Sequence, residues 1–220
     1  MQGKIKYIVL DFDGTMADTI DLALNIYDRI APEYDCLPIG KADRKQLGRR
    51  RLQDLLREYG ISRLKLVLIV LRIRKEMGKR ISELKPVKGI RDSLQEIKDI
   101  GFNLGILTSN SKENVKMFLE NNDLSDKIDF IYSGKSLFGK DKVMTRLFDH
   151  EGISREELIY VGDEIRDMEA SVKAGIKAIA VSWGLCRWEN QDTLQPEQVA
   201  HSPGDLITCI QEIVTNKKFT

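Results

Sequence analysis

The stretch Ile5-Lys6-Tyr7-Ile8-Val9-Leu10-Asp11-Phe12-Asp13-Gly14-Thr15 decides how this chain reads. Its first six residues are short, mainly apolar and rich in β-branched side chains, which predicts a buried strand over 5–10. Two carboxylates follow at once, spaced i and i+2, and then a glycine. On a continuing strand residues spaced i and i+2 fall on one face, and Gly14 lets the chain turn away. Asp11 and Asp13 then crowd one strand end. Two buried anions are costly together unless a cation neutralises them. A hard divalent cation with oxygen ligands is the natural solution, and Mg²⁺ suits a site that also takes phosphate. The plain alternative is an Asx-rich turn after a strand.

Outward from this stretch, apolar runs predict strands at Asn103–Leu107, Phe130–Tyr132, Leu158–Val161 and Ala178–Val181. Helical patterns separate them, near Ile90–Ile100, Lys112–Asn121, Lys140–Glu151, Asp167–Ala174 and Pro203–Val214. Gly101, Gly152 and Gly175 each follow such a pattern, as helix C-terminal caps do. Alternation of strand and helix predicts an α/β fold: an open, doubly wound parallel (Rossmann-like) sheet. Ligands bind such sheets beyond the carboxyl ends of the strands. Between Asp18 and Leu84 the alternation stops. Helical patterns near 18–31, 43–59 and 63–79 fill that region instead. The expected organisation is a core domain of residues 1–17 and 85–220, with an α-helical cap domain, 18–84, inserted after the first strand. The crossings near 16–20 and 82–88 would be its hinges.

Bulk properties remove several function classes. A chain of 220 residues that is 42% hydrophobic and 31% charged supports one well-cored domain plus an insertion. Its longest apolar stretch, Leu66–Leu71, is far short of the ~20 residues of a membrane span. No signal-peptide pattern precedes the first strand, so the cytoplasm is the expected location. Cys36, Cys186 and Cys209 are widely spaced and odd in number, which predicts neither a disulfide framework nor a zinc site. His150 and His201 lie near no other ligand in sequence, leaving a His-based metal site or a Ser-His-Asp hydrolase poorly supplied.

Three further clusters follow predicted strands. Thr108-Ser109-Asn110 offers hydroxyls and backbone amides that can hold a phosphate oxygen, although such residues also cap helices. Lys135, Lys140 and Lys142 are candidates for the cation that phosphoryl transfer requires. Gly162-Asp163-Glu164-Ile165-Arg166-Asp167 brings Asp163 to the sheet edge of Asp11, with Asp167 one helical turn behind it. Each has an ordinary structural reading. Their common order along one sheet edge is much harder to dismiss.

These residues resemble the haloacid-dehalogenase-like (HAD) superfamily, over nearly the whole chain. Asp11-Phe12-Asp13-Gly14-Thr15 is similar to its first motif, Ser109 to the second, Lys140 to the third, and Gly162-Asp163 with Asp167 to the fourth. Lys140 is preferred to Lys142 because it begins a helical pattern 23 residues before Asp163. Pro86-Val87-Lys88-Gly89-Ile90 and Ser182-Trp183-Gly184 also resemble the phosphoglycolate-phosphatase-like branch, which carries a helical cap between its first two motifs. The resemblance implies a phosphatase of a small phosphate monoester, with phosphoglycolate as one candidate. Asp11 is then the nucleophile and Asp13 the acid/base. Ser109, the Asn110 amide and Lys140 hold phosphoryl oxygens. Asp11, the Asp13 carbonyl and Asp163 hold Mg²⁺, and Asp167 supports them. A retained Asp13 favours phosphoryl chemistry over carbon–halogen cleavage. A phosphotransferase or sugar-phosphate mutase on the same scaffold is the alternative.

Residues 41–80 hold 14 Lys/Arg against 4 Asp/Glu, while the whole chain has a net charge of only +1. Solvated helix faces are the ordinary reading, with Leu52, Leu55, Leu56, Leu64, Val67, Leu68 and Leu71 expected to form the cap's own core. Arginines facing the cleft would instead steer a multiply charged substrate. A non-catalytic polyanion-binding module is the remaining alternative. With only Tyr59 as an interleaved aromatic, nucleic acid is not the expected partner. A small phosphorylated metabolite is, with the protein a monomer or homodimer and no membrane partner.

Overall fold

The computed structural model describes residues 5–40, 43, 44, 47, 52–134, 140–186, 188 and 196–215. Its strands are β1 (Tyr7–Leu10), β2 (Asn103–Thr108), β3 (Phe130–Ser133), β4 (Leu158–Gly162), β5 (Lys177–Val181) and β6 (Gln198–Ala200). They form one sheet in the order β3-β2-β1-β4-β5-β6, with every neighbouring pair parallel. The described helices are α1 (Ile20–Ile30), α2 (Leu52–Glu58), α3 (Arg63–Gly78), α4 (Ile90–Asp99), α5 (Lys112–Asn121), α6 (Lys140–Glu151), α7 (Ile165–Ala174) and α8 (Asp205–Thr215).

A parallel sheet covered on both faces needs strands that are apolar throughout. Ile8, Val9 and Leu10 of β1 are fully buried and serve both faces. Ile8 and Leu10 join Ile106, Ile159 and Val161 under α4, α5 and α8. Val9 and Tyr160 point the other way, onto Met144 and Leu147 of α6 and Ala170 and Ala174 of α7. Burial of one such aliphatic side chain contributes about 1.5–3 kcal/mol, so this double-faced core dominates the sheet's stability. Gly105 of β2 is forced by packing: a Cβ there would lie 2.2 Å from the Phe130 ring.

The chain order reverses at β1. β2 and β3 extend the sheet on one side, while β4, β5 and β6 extend it on the other. Residues after β1 and β4 therefore flank the crevice at the switch point, where doubly wound sheets bind ligands. β6 escapes the sequence reading, because three residues with a polar Gln198 give no strand pattern.

Between β1 and α4 the described elements are helices and short turns. Ile26, Tyr27, Ile30, Ile69 and Met77 form a separate apolar cluster there, with Leu55 and Ile73 packed against it. The expected leucine stripe is not the face that packs. Leu64, Leu68 and Leu71 are 72%, 46% and 50% exposed. On a helix of 3.6 residues per turn, Ile69, Ile73 and Met77 lie opposite those leucines, and packing against α1 selects the isoleucine face. Leu55 and Leu56 are half-buried. The two chain crossings meet. Asp18 N–H donates to the Lys85 carbonyl at 3.0 Å, Val87 N–H donates to the Met16 carbonyl at 3.0 Å, and Ala17 and Pro86 form an antiparallel bridge.

Candidate active site

β1 ends at Leu10, so Asp11 and Asp13 do not sit on a continuing strand as the i, i+2 spacing suggested. The chain turns immediately. Met16 and Ala17 N–H groups return to the Phe12 carbonyl at 3.0 and 2.9 Å, and Gly14 adopts a φ of +78°. That left-handed turn favours glycine, and it also makes space. A Cβ on Gly14 would lie 2.4 Å from Asp163 Oδ2.

Asp11 is buried, with Oδ1 accepting from the Phe12 N–H at 2.7 Å and Oδ2 from Lys140 Nζ at 2.7 Å. Lys140 begins α6 and also donates to Asp167 Oδ1 at 2.5 Å. Lys142 is exposed, and Lys135 lies outside the described residues. Asp163 directly follows β4. Its Oδ1 accepts from Thr15 Oγ1 at 3.0 Å and its Oδ2 from the Leu185 N–H at 2.8 Å. Asp167 closes the first turn of α7 by accepting from the Glu164 N–H at 3.1 Å. One oxygen each from Asp11, Asp163 and Asp167 lie within 4.8 Å of one another.

Asp13 stands apart from that trio. Asn110 Nδ2 donates to its Oδ2 at 3.2 Å, while its buried Oδ1 has no partner among the described residues. The Asn110 backbone N–H, expected to face phosphate, instead donates to Thr108 Oγ1 at 3.0 Å. Ser109 Oγ accepts from Arg74 Nη2 at 2.5 Å.

Burial sets the electrostatics. It pushes Asp13 up to about 6, with the Asp11 charge adding to the rise. Burial raises Asp167 to about 7 against the pull of Lys140, and lifts Asp163 well above the carboxylate range with help from Glu164, Asp167 and Asp11. For Lys140 burial disfavours the charged form, but Asp11 and Asp167 outweigh it and hold the ammonium above its usual pKa. Removing this cation leaves two buried carboxylates facing each other unpaired. Lys140→Ala is therefore expected to lower unfolding stability by about 3–5 kcal/mol at neutral pH without divalent cation, the range for breaking a buried ion pair. A urea midpoint unchanged from wild type would refute this.

Several contributors carry weaker sequence signals. Trp183 Nε1 donates to the Thr15 carbonyl at 3.0 Å and ties the β5 loop to the Asp11 turn. Gly184 exists for packing, since a Cβ there would lie 2.2 Å from Asp163 Cβ. Arg74 enters from the helical insertion, and only its membership of the basic segment hinted at it. Most other described bases of that segment behave as solvated faces. Arg57, Arg63, Arg72, Lys75, Lys79 and Arg80 are exposed, whereas Arg44 pairs with Asp28 at 2.6 Å. Lys41, Lys45 and Arg49-Arg50-Arg51 lie outside the described residues.

A doubly wound sheet with buried acidic groups and one lysine at its switch point defines an α/β enzyme site. The chain belongs to the haloacid dehalogenase-like hydrolase family, whose model matches residues 8–181. It is 28% identical to a phosphoglycolate phosphatase of Synechococcus elongatus over 210 residues, covering 96% of this chain and 99% of that one. It is 22% identical to the pyrophosphatase PpaX of Bacillus mycoides, over 96% and 99% of the two chains. A haloacid dehalogenase-like family hydrolase from Streptococcus pneumoniae superposes with a TM-score of 0.74 at 23% identity, over 94% and 99%. Among the described residues no helix is long and apolar enough to cross a membrane.

Proposed function

We propose that this hydrolase is a Mg²⁺-dependent phosphatase that cleaves a small phosphate monoester through an aspartyl-phosphate on Asp11. The observation that carries the reading is the buried Asp11 carboxylate at the switch point, held by Lys140 with Asp163 and Asp167 beside it. An all-oxygen, anionic and buried donor set fits a hard divalent cation. Asp11, Asp163 and the Asp13 carbonyl would hold Mg²⁺. When bound, it would supply the charge that lets one anion approach another.

In the first step an Asp11 oxygen forms a bond to phosphorus. The ester P–O bond breaks, its electron pair stays on the ester oxygen, and Asp13 gives that oxygen a proton. The alcohol leaves. Asp13, now a carboxylate, takes a proton from water as the water oxygen attacks phosphorus. The bond to Asp11 breaks, releasing inorganic phosphate and restoring the Asp11 carboxylate. The raised proton affinity of Asp13 supports its acid role, and its unpartnered Oδ1 is free to serve the leaving oxygen. Ser109 and Lys140 would hold phosphoryl oxygens. Residues 18–84 would act as a cap that excludes bulk water, with its hinges at the paired crossings. The phosphoglycolate phosphatase relative makes phosphoglycolate the first ester to try.

Phosphate release from a panel of phosphomonoesters, with Mg²⁺ and with EDTA, tests the proposal. Release is expected only with Mg²⁺. The ion should also stabilise the fold by mass action, by about 2.7 kcal/mol at a hundredfold excess over its dissociation constant, seen as a higher melting temperature. Folded protein that releases nothing from any ester with Mg²⁺ present would overturn it.

A further inference from the structure

Arg74 is the helical insertion's reach into the site. It lies on the last turns of α3, half-buried, and donates to Ser109 Oγ at 2.5 Å. A neighbouring contact brings α3 against α5: a Cβ on Gly78 would lie 3.0 Å from Asn114 Nδ2, whose amide donates to Asn110 Oδ1 at 3.0 Å. A guanidinium carries five donors and matches planar or tetrahedral anions in bidentate fashion. Among the described residues Arg74 makes this one hydrogen bond, to a neutral hydroxyl, and no ion pair. A partly desolvated cation without a carboxylate in contact is a poor structural strut and a good anion receptor.

Its position gives the anion a side. Ser109, which Arg74 contacts, is followed by Asn110, whose Nδ2 donates to Asp13 Oδ2 at 3.2 Å, so Arg74 enters beside the proposed acid. Arg166, paired with Glu164 at 2.5 Å, is close enough to repel Arg74. On the nucleophile side Lys140 already supplies the cation.

We propose that Arg74 binds a second anionic group on the leaving portion of the substrate, so that the enzyme selects phosphate esters whose alcohol carries a carboxylate or a further phosphate. This rests on the phosphatase reading, in which Asp13 serves the leaving oxygen. Ser109 orients the guanidinium across the boundary between insertion and sheet. Arg74 is then a specificity residue that couples closure of the insertion to the charge of what is enclosed.

The test compares kcat/KM for phosphoglycolate, propane-1,3-diol bisphosphate and phenyl phosphate in wild type, Arg74→Ala and Arg74→Lys, with Mg²⁺ throughout. The wild type should prefer an anionic ester to phenyl phosphate. Arg74→Ala should reduce that preference at least about tenfold, mainly through KM, the scale of one lost charged contact. Arg74→Lys should recover part of it. A preference lost for phosphoglycolate alone assigns a carboxylate, and one lost for the bisphosphate alone assigns a phosphate. Equal losses on all three esters, or an unchanged preference, would overturn the assignment while leaving the phosphatase reading intact. A wild type that cleaves none of the three would overturn both.

Discussion

Asp11→Asn is expected to abolish turnover, with kcat falling on the order of 10⁴-fold or more, the scale seen when a nucleophile that acts as part of a unit is removed. Asparagine fills the same space, and its single oxygen keeps one of the two acceptances, from the Phe12 N–H or from Lys140, while its Nδ2 only donates and gives up the other. It lacks the charged oxygen that must bond to phosphorus. The variant should fold, because the change also removes one of several crowded buried anions, of which Lys140 contacts only two. Denaturant unfolding checks the fold, and phosphate release checks the chemistry. In wild type, acid quenching during turnover followed by intact-mass measurement should show an adduct of one phosphoryl group, absent from Asp11→Asn. Full activity in the variant would remove Asp11 from the chemistry.

Asp13→Asn should separate the two steps. An amide neither gives nor takes the proton, and losing general acid–base help costs roughly 10²–10⁴-fold. The size should depend on the leaving group. An alkyl ester needs its oxygen protonated as the bond breaks, so the first step itself stalls. A nitrophenyl ester leaves as a stable anion, so Asp11 can still be phosphorylated, and water activation then limits. Rapid mixing should therefore show a burst of about one equivalent of nitrophenolate, followed by slow release. Equal losses on both esters without a burst would sink this role for Asp13.

The carboxylates were legible because each follows a marked strand. The apolar runs ending at Leu10 and Val161 declare where β1 stops and, to within one residue, where β4 stops, so Asp11, Asp13 and Asp163 fall at one edge by topology alone. Lys140 stood out only beside Lys135 and Lys142, and the resemblance separated them. Local pattern failed where a partner decides the outcome. Arg63–Gly78 carries apolar and basic residues around most of its circumference. Its phase is set by α1, so the reading placed Leu64, Leu68 and Leu71 inward and gave Arg74 no special place. The hydrogen bonds of Thr15, Trp183 and Leu185 around Asp163 likewise join residues far apart in sequence, which no short-range pattern encodes.

The bridge between Ala17 and Pro86 has an architectural consequence. The helical insertion leaves and re-enters at a single doorway, with Asp18 hydrogen-bonded to Lys85 across it. Closing that doorway needs nothing from the 60-odd residues beyond, since the cost of loop closure grows only slowly with length. The carboxylates proposed for catalysis are thus anchored independently of whatever module hangs from this doorway. A different module grafted between the same two residues would change what the enzyme admits without moving what it does.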